Sequence, residues 1–305
     1  MHLKFYIIYT PNSFSKLKLA INSLLLNTDY HFILVANGLE YIEFCEIQDF
    51  ISNNKRLDII DLPGNVTIPH GTALNHLFNI ASSDYFCFMD SDIFAFKDFS
   101  EQLNQLVKEN DVVSSCKPLE WLRKKSPKGY RGHCTVSPSG KNIAMTYFAV
   151  YKRDKVRPVL NKYGISFERY MRKSQIPEKA MSVLSEPDKH TNKFNTAKLL
   201  NILQAYDGVK FAYKEFDGLV HLGGVSRYSE HTIQGTRNIN KSNPVAVDRV
   251  ATRYYFHNLL ENIKNNCYEL PDLSLNDTAL ENHVIETSHE LILLKKSIVE
   301  AKTCH

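Results

Sequence analysis

The stretch Ser83-Asp84-Tyr85-Phe86-Cys87-Phe88-Met89-Asp90-Ser91-Asp92-Ile93-Phe94 decides how this chain is read. An unbroken apolar run rich in aromatics describes a strand buried on both faces, and two carboxylates follow at its end. A bare Asp-x-Asp is expected about once by chance in a chain of this composition, so its setting matters more than its letters. The carboxyl edge of a buried parallel strand is where open α/β folds take their ligands. Two acids one residue apart at that edge can hold a hard divalent cation while phosphate oxygens complete its shell. A helix-capping or turn pair is the plain alternative.

Upstream, strand and helix patterns alternate. Residues 4–10 are β-rich and closed by Pro11, which cannot continue a ladder. Residues 15–27 place Leu17, Ala20, Ile21, Leu24 and Leu25 at helical spacing, with Ser13 or Ser15 available as N-cap. A second apolar run at 31–36 stops at Asn37-Gly38, and a third at 57–62 stops at Pro63-Gly64. Residues 71–81 read as a helix before the strand at 84–89. This alternation predicts a mainly parallel sheet with right-handed crossovers, an α/β nucleotide-binding type of fold. Downstream the pattern predicts a strand over 142–151, a helix over 196–205 capped by Asn195, and short strands at 209–213 and 218–222. A polar stretch to about Asn243 and helices at 247–265 and 279–301 follow. The division expected is an α/β domain over 1–226 and a polar loop with a helical extension over 227–305.

The composition narrows the function. With 305 residues, 43% of them hydrophobic and 23% charged, the chain can bury a large core. A net charge of +4, from 37 basic and 33 acidic residues, argues against a broad nucleic-acid-binding face. No apolar run reaches the roughly 18 residues of a membrane span, and the N-terminus reads as a first strand rather than a signal peptide. Cys45, Cys87, Cys116, Cys134, Cys267 and Cys304 show no CxxC or other metal spacing, and no HExxH occurs. Secreted disulfide scaffolds, membrane channels and zinc proteases are excluded, and a reducing, cytoplasmic location is expected.

Several pieces in order resemble one known group, the inverting, family-two-like glycosyltransferases of GT-A fold. They are the opening strand with Thr10-Pro11-Asn12, the helix ending Ser23-Leu24-Leu25, and the Val35-Ala36-Asn37-Gly38 turn. Gly71-Thr72-Ala73-Leu74-Asn75 precedes the Asp-x-Asp, and Val220-His221-Leu222-Gly223-Gly224-Val225-Ser226 comes near the end of the match. The resemblance implies transfer of a sugar from a UDP-, GDP- or dTDP-sugar to a hydroxyl of a glycan or lipid-linked glycan. It also implies Mn²⁺ or Mg²⁺ held by Asp90, Asp92 and His221. Ser91 and Arg227 would then stand beside the diphosphate, and Thr10 and Pro11 beside the nucleotide. Breaking a sugar–diphosphate bond concentrates negative charge that a metal ion stabilises as it develops. A lipid-linked acceptor would bring peripheral contact with the inner face of a membrane.

Two places depart from the family pattern. Relatives carry an acid at the end of the second strand, where this chain has Ala36-Asn37-Gly38. Asn37 can hydrogen-bond a base edge, Asp61 can replace the missing carboxylate, and Gly71 and Asn75 lie where relatives contact the nucleotide. A turn, cap or core role competes at each. Relatives also place the catalytic Asp at the start of a helix before the final histidine, where this chain reads Phe194-Asn195-Thr196. An amide cannot take a proton from an acceptor hydroxyl. Asp188 is the expected base and Glu186 its alternate, although either can simply cap a turn. A retaining transferase, a non-catalytic glycan- or nucleotide-binding relative and a sugar-nucleotide pyrophosphorylase remain as alternatives. The last would need a Gly-rich, Arg-bearing loop that Thr10-Pro11-Asn12-Ser13 lacks.

Trp121 and the basic segment 123–131 sit where acceptor loops follow the metal strand. Leu280, Val284, Thr287, Leu291, Leu294 and Ile298 repeat by four and three over about three heptads. That narrow seam predicts a homodimer through the last helix, or a stripe packed back on the domain.

Overall fold

A computed structural model describes residues 3–64, 66–119, 134–190, 193–225 and 244–303. Arg227, Trp121, the basic segment 123–131 and Cys304 lie outside the described residues. The chain opens with β1 (Lys4–Tyr9), α1 (Phe14–Asn27), β2 (His31–Ala36), α2 (Tyr41–Ser52), β3 (Leu57–Asp61), α3 (His70–Ile80) and β4 (Tyr85–Asp90). Next come β5 (Ile93–Ala95), α4 (Ser100–Glu109), β6 (Val112–Ser115), β7 (Phe148–Lys152) and α5 (Arg153–Tyr163). The short helices α6 (Glu178–Val183) and α7 (Glu186–Lys189) lead to α8 (Lys198–Tyr206), β8 (Phe211–Tyr213) and β9 (Leu219–His221). Two long helices follow, α9 (Pro244–Lys264) and α10 (Thr278–Thr303).

Seven strands form one sheet in the order β3-β2-β1-β4-β7-β6-β8. The pairs among β1, β2, β3 and β4 are parallel, as the alternation predicts, and β6 pairs with β8 in parallel. Only β7 runs against its neighbours β4 and β6. Because side chains alternate along a strand, β1 feeds two cores. Phe5, Ile7 and Tyr9 join α1, α4, α9 and α10 on one face, while Tyr6 joins α3, α5 and α8 on the other.

Three expectations need correction. The strand expected over 142–151 is shorter, because residues 134–144 form a tight hairpin. In it Ser137 N–H donates to the Lys141 carbonyl and Ile143 N–H to that of Thr135. The helix expected from Thr196 starts at Lys198, because Ala197 takes a left-handed φ of 61°. Asn195 accepts from Lys198 N–H through its backbone carbonyl, not through its side chain. Finally, Leu280, Val284, Thr287, Leu291 and Leu294 of α10 are buried, and Ile298 packs partly buried against the same core. The seam is hidden on its own chain, in the core that holds Phe14, Tyr255 and Leu259. Burying each large apolar side chain is worth about 1.5–3 kcal/mol, and the homodimer expected through this helix loses its driving force. Among the described residues, no helix is long and apolar enough to cross a membrane.

Candidate active site

Strands β2, β1 and β4 are adjacent and parallel, so their carboxyl ends lie side by side. The register sets Tyr9 opposite Ala36 and Ile8 opposite Asp90. The segments that follow, at Thr10-Pro11, Asn37 and Asp90-Ser91, therefore open onto one cavity of about 650 Å³. Its other walls include Ile68, His70, Tyr147, His221 and the Gly223-Gly224 turn.

β9 pairs antiparallel with β5, placing His221 opposite Ile93 and next to both acids. One ligand atom from each of Asp90, Asp92 and His221 lies within 4.8 Å of the others. His221 Nε2 is 3.1 Å from Asp92 Oδ1 and 3.5 Å from Asp90 Oδ2. His221 Nδ1 faces the Cys116 carbonyl at 3.3 Å, and a carbonyl can only accept, so that nitrogen carries a proton. The bond turns Nε2 toward the carboxylates and leaves it as the ligand atom when the ring is neutral. Tyr147 covers the ring, with centroids 4.6 Å apart.

The carboxylates differ in setting. Asp90 is partly exposed and lines the cavity, while Asp92 is buried behind it at 1% exposure. Burial alone would push the Asp92 carboxyl up. The His221 charge beside it and the N–H groups of Val225 and Gly224 outweigh that and hold it at about 2. Val225 N–H lies 2.9 Å from Asp92 Oδ2, and Leu222 N–H donates to the Asp92 carbonyl, so residues 222–225 wrap this acid. Two carboxylates and one imidazole form a donor set suited to Mn²⁺ or Mg²⁺, and the nitrogen favours the softer Mn²⁺.

Of the residues read as donor contacts, some reach the cavity and others do not. Thr10, Pro11, Asn37 and Ser91 line the cavity. Both ends of the Asn37 amide are engaged by the Ile68 backbone, Oδ1 accepting from its N–H at 2.9 Å and Nδ2 donating to its carbonyl at 3.0 Å. Asn37 thus pins the segment before α3. Gly38 is required beneath it, since its φ is +71° and a Cβ would stand 2.3 Å from Thr67 N. Asp61 is exposed at the end of β3 and does not reach the cavity. Gly71 and Asn75 are also turned elsewhere, toward Phe167 and Glu168. A Cβ at Gly71 would stand 2.7 Å from Glu168 Cα, and Asn75 Oδ1 accepts from Phe167 N–H at 2.9 Å.

The expected base is corrected more sharply. Asp188 is fully buried and accepts from Ser139 Oγ at 2.6 Å, Tyr206 Oη at 2.8 Å, Ser185 Oγ at 3.2 Å and Ser139 N–H at 3.3 Å. Glu186 is exposed and pairs with Lys189 at 2.9 Å. Neither lines the cavity, so neither is placed to deprotonate an acceptor bound there.

Sequence reasoning missed Glu43, whose carboxylate accepts from the N–H groups of Asn12, Ser13 and Phe14 at 2.8–3.0 Å. It caps α1 from another helix, while Ser13 Oγ turns back to Thr10. It therefore also occupies the amides that would otherwise attract a phosphate. Nothing in the local pattern pairs residue 43 with residue 12. Tyr147 and Arg253, both on the cavity wall, were missed for the same reason.

No curated protein sequence matches this chain. Solved structures to which the chain is similar include a mannosyltransferase from Pyrobaculum calidifontis in complex with GDP-Man and Mn²⁺. It is 14% identical, with 98% of this chain and 86% of that one covered and a TM-score of 0.45. TarS 1–349 of S. aureus is 17% identical, covering 84% and 72% at a TM-score of 0.44. This chain spans 43% of the length of a longer TarS structure. The profile described as "Glycosyl transferase family 2" matches residues 6–172, more than half the chain, from within β1 to beyond β7. With the mixed sheet and the cavity at its carboxyl edge, the chain is a GT-A-fold protein and belongs to glycosyl transferase family 2.

Proposed function

We propose that the cavity binds a nucleotide-diphosphate sugar with a divalent cation held by Asp90, Asp92 and His221, and that the sugar passes to a hydroxyl of a glycan or lipid-linked glycan. The observation behind this is the Asp90–Asp92–His221 cluster at the carboxyl edge of the parallel strands, inside a family-two domain. When bound, the cation would neutralise charge building on the leaving diphosphate. Asp90 faces the cavity as the outer ligand. Asp92 is the buried anchor, held as a carboxylate by hydrogen bonds from the 224–225 amides. Cys116 keeps His221 Nε2 aimed at the same point.

Inversion, the course read from the resemblance, needs a carboxylate at the acceptor hydroxyl. Among the described residues lining the cavity, Asp90 is the one carboxylate, and the metal claims it. The cytoplasm is the setting that goes with this reading, at a membrane surface if the acceptor is lipid-linked.

The test is a thermal-shift panel of UDP-, GDP- and dTDP-sugars with Mn²⁺ and with chelator. A donor at 100 times its dissociation constant stabilises the fold by about 2.7 kcal/mol, and that shift should vanish without metal. A panel with no metal-dependent shift sinks the reading. The anomeric configuration of the product, read by NMR, decides inversion against retention.

A further inference from the structure

The sequence reading puts α9 in an extension beyond residue 226, yet α9 contributes Arg253 to the lining of the cavity. Arg253, His257 and Glu261 stand at i, i+4 and i+8 on one face of this helix. His257 Nδ1 lies 3.0 Å from Lys16 Nζ, and Glu261 Oε1 lies 3.6 Å from the same atom. The rotation of α9 about its axis is set by the burial of Tyr255, Phe256, Leu259, Leu260 and Ile263, and it brings His257 and Glu261 to this buried α1 lysine. One turn toward the N-terminus, the same face delivers Arg253 to the cavity. There its guanidinium lies against Gly224, where an added Cβ would be 3.3 Å from Arg253 Cζ. Gly224 N–H donates to Asp92, so the guanidinium against Gly224 stands on the side of the acid pair.

Charge counting gives that position its meaning. Asp90 and Asp92 together cancel one divalent cation and leave no positive surplus for a diphosphate. Among the described lining residues, the lysine and arginine side chains are Lys16 and Arg253. Lys16 is already paired with Glu261, and we propose that Arg253 is a diphosphate-binding residue, its planar guanidinium taking phosphate oxygens on the side away from the metal. This rests on the cavity being the donor site. It makes α9 a part of that site, and no resemblance in the sequence pointed to it.

The test measures affinity for UDP, GDP and dTDP and for the matching monophosphates, with Mn²⁺ present, by calorimetry. In Arg253→Gln the diphosphate that binds wild type should weaken on the order of tenfold to a hundredfold, the cost of losing hydrogen bonds to a charged group. The preference for diphosphate over monophosphate should shrink with it. Arg253→Lys should recover part of both, and it reads the same ratio if the Gln variant does not fold. Unchanged diphosphate affinity, or equal losses for di- and monophosphate, overturns the assignment and leaves the donor site standing. If wild type binds none of the diphosphates, the donor-site reading falls and takes this inference with it.

Discussion

Two regions of this protein each bury a carboxylate and a basic side chain, and they do opposite things with them. At the sheet edge, Asp92 meets His221 at 3.1 Å, directly behind an open cavity. Beside the 134–144 hairpin, Asp188 and Lys198 are equally buried and do not pair with each other. Asp188 gathers hydroxyls, Ser139 of the hairpin among them. Lys198 Nζ donates to the Cys134 and Ala144 carbonyls at the two ends of the hairpin. One pair leaves ligand atoms aimed at a shared point, and the other spends its charges on holding a loop. Burial of an acid therefore says little about chemistry until the space next to it is known.

The largest contrast should come from Asp92→Asn. Its carboxamide oxygen can still accept from Val225 N–H, so the fold should persist, while metal-dependent donor binding is lost and transfer drops by about two to three orders of magnitude. Transfer at the wild-type rate, or transfer that continues in excess chelator, would erase the distinction between the two regions.

Lys198 sharpens the contrast through pH. Burial pulls its ammonium down from 10.5 to about 7. Between those values the unfolded chain binds more protons than the folded one, so this group's contribution to stability rises with pH across that window. Wild type should gain up to about 1.4 kcal/mol per pH unit over Lys198→Met there, read from urea unfolding. Parallel pH profiles would show that the ammonium is well solvated.

Asp188→Asn should cost about 2 kcal/mol in urea unfolding, because hydroxyl donors then face an NH₂ group. Turnover per folded molecule should stay within a few-fold of wild type. A large loss of turnover with unchanged stability would restore Asp188 as the base. The smallest effect is expected at Glu43→Gln, which keeps one acceptor oxygen at the start of α1 and should cost about 1 kcal/mol. A result near zero would mean that water replaces this cap.

Where the sequence was legible, the signal was local and periodic. The alternation of residues 4–90 predicts β1 through β4 in parallel, because apolar runs and turn pairs mark each element by itself. Asp90, Asp92 and His221 were legible as well, since Asp90 and His221 each end a strand and Asp92 lies two residues past Asp90. Asn37, Asp61, Gly71, Asn75 and Asp188 stand out in the sequence by position alone. Position in a chain does not show which way a side chain faces.

By itself, then, the sequence determined the parallel half of the sheet, the acid pair at its edge and the histidine that meets it, since short-range pattern encodes strands and their ends. Tertiary structure alone decided the rest. Glu43 reaches α1 across 31 positions to Asn12, the hairpin and α7 turn Asp188 inward, and α10 folds its seam against its own core. Arg253 enters the cavity from 163 positions beyond Asp90, because α9 buries Tyr255, Phe256, Leu259 and Ile263 in the core beside α1. Each outcome depends on packing between distant segments, where the free energy of contact and burial is a property of the assembled fold and not of any window of residues.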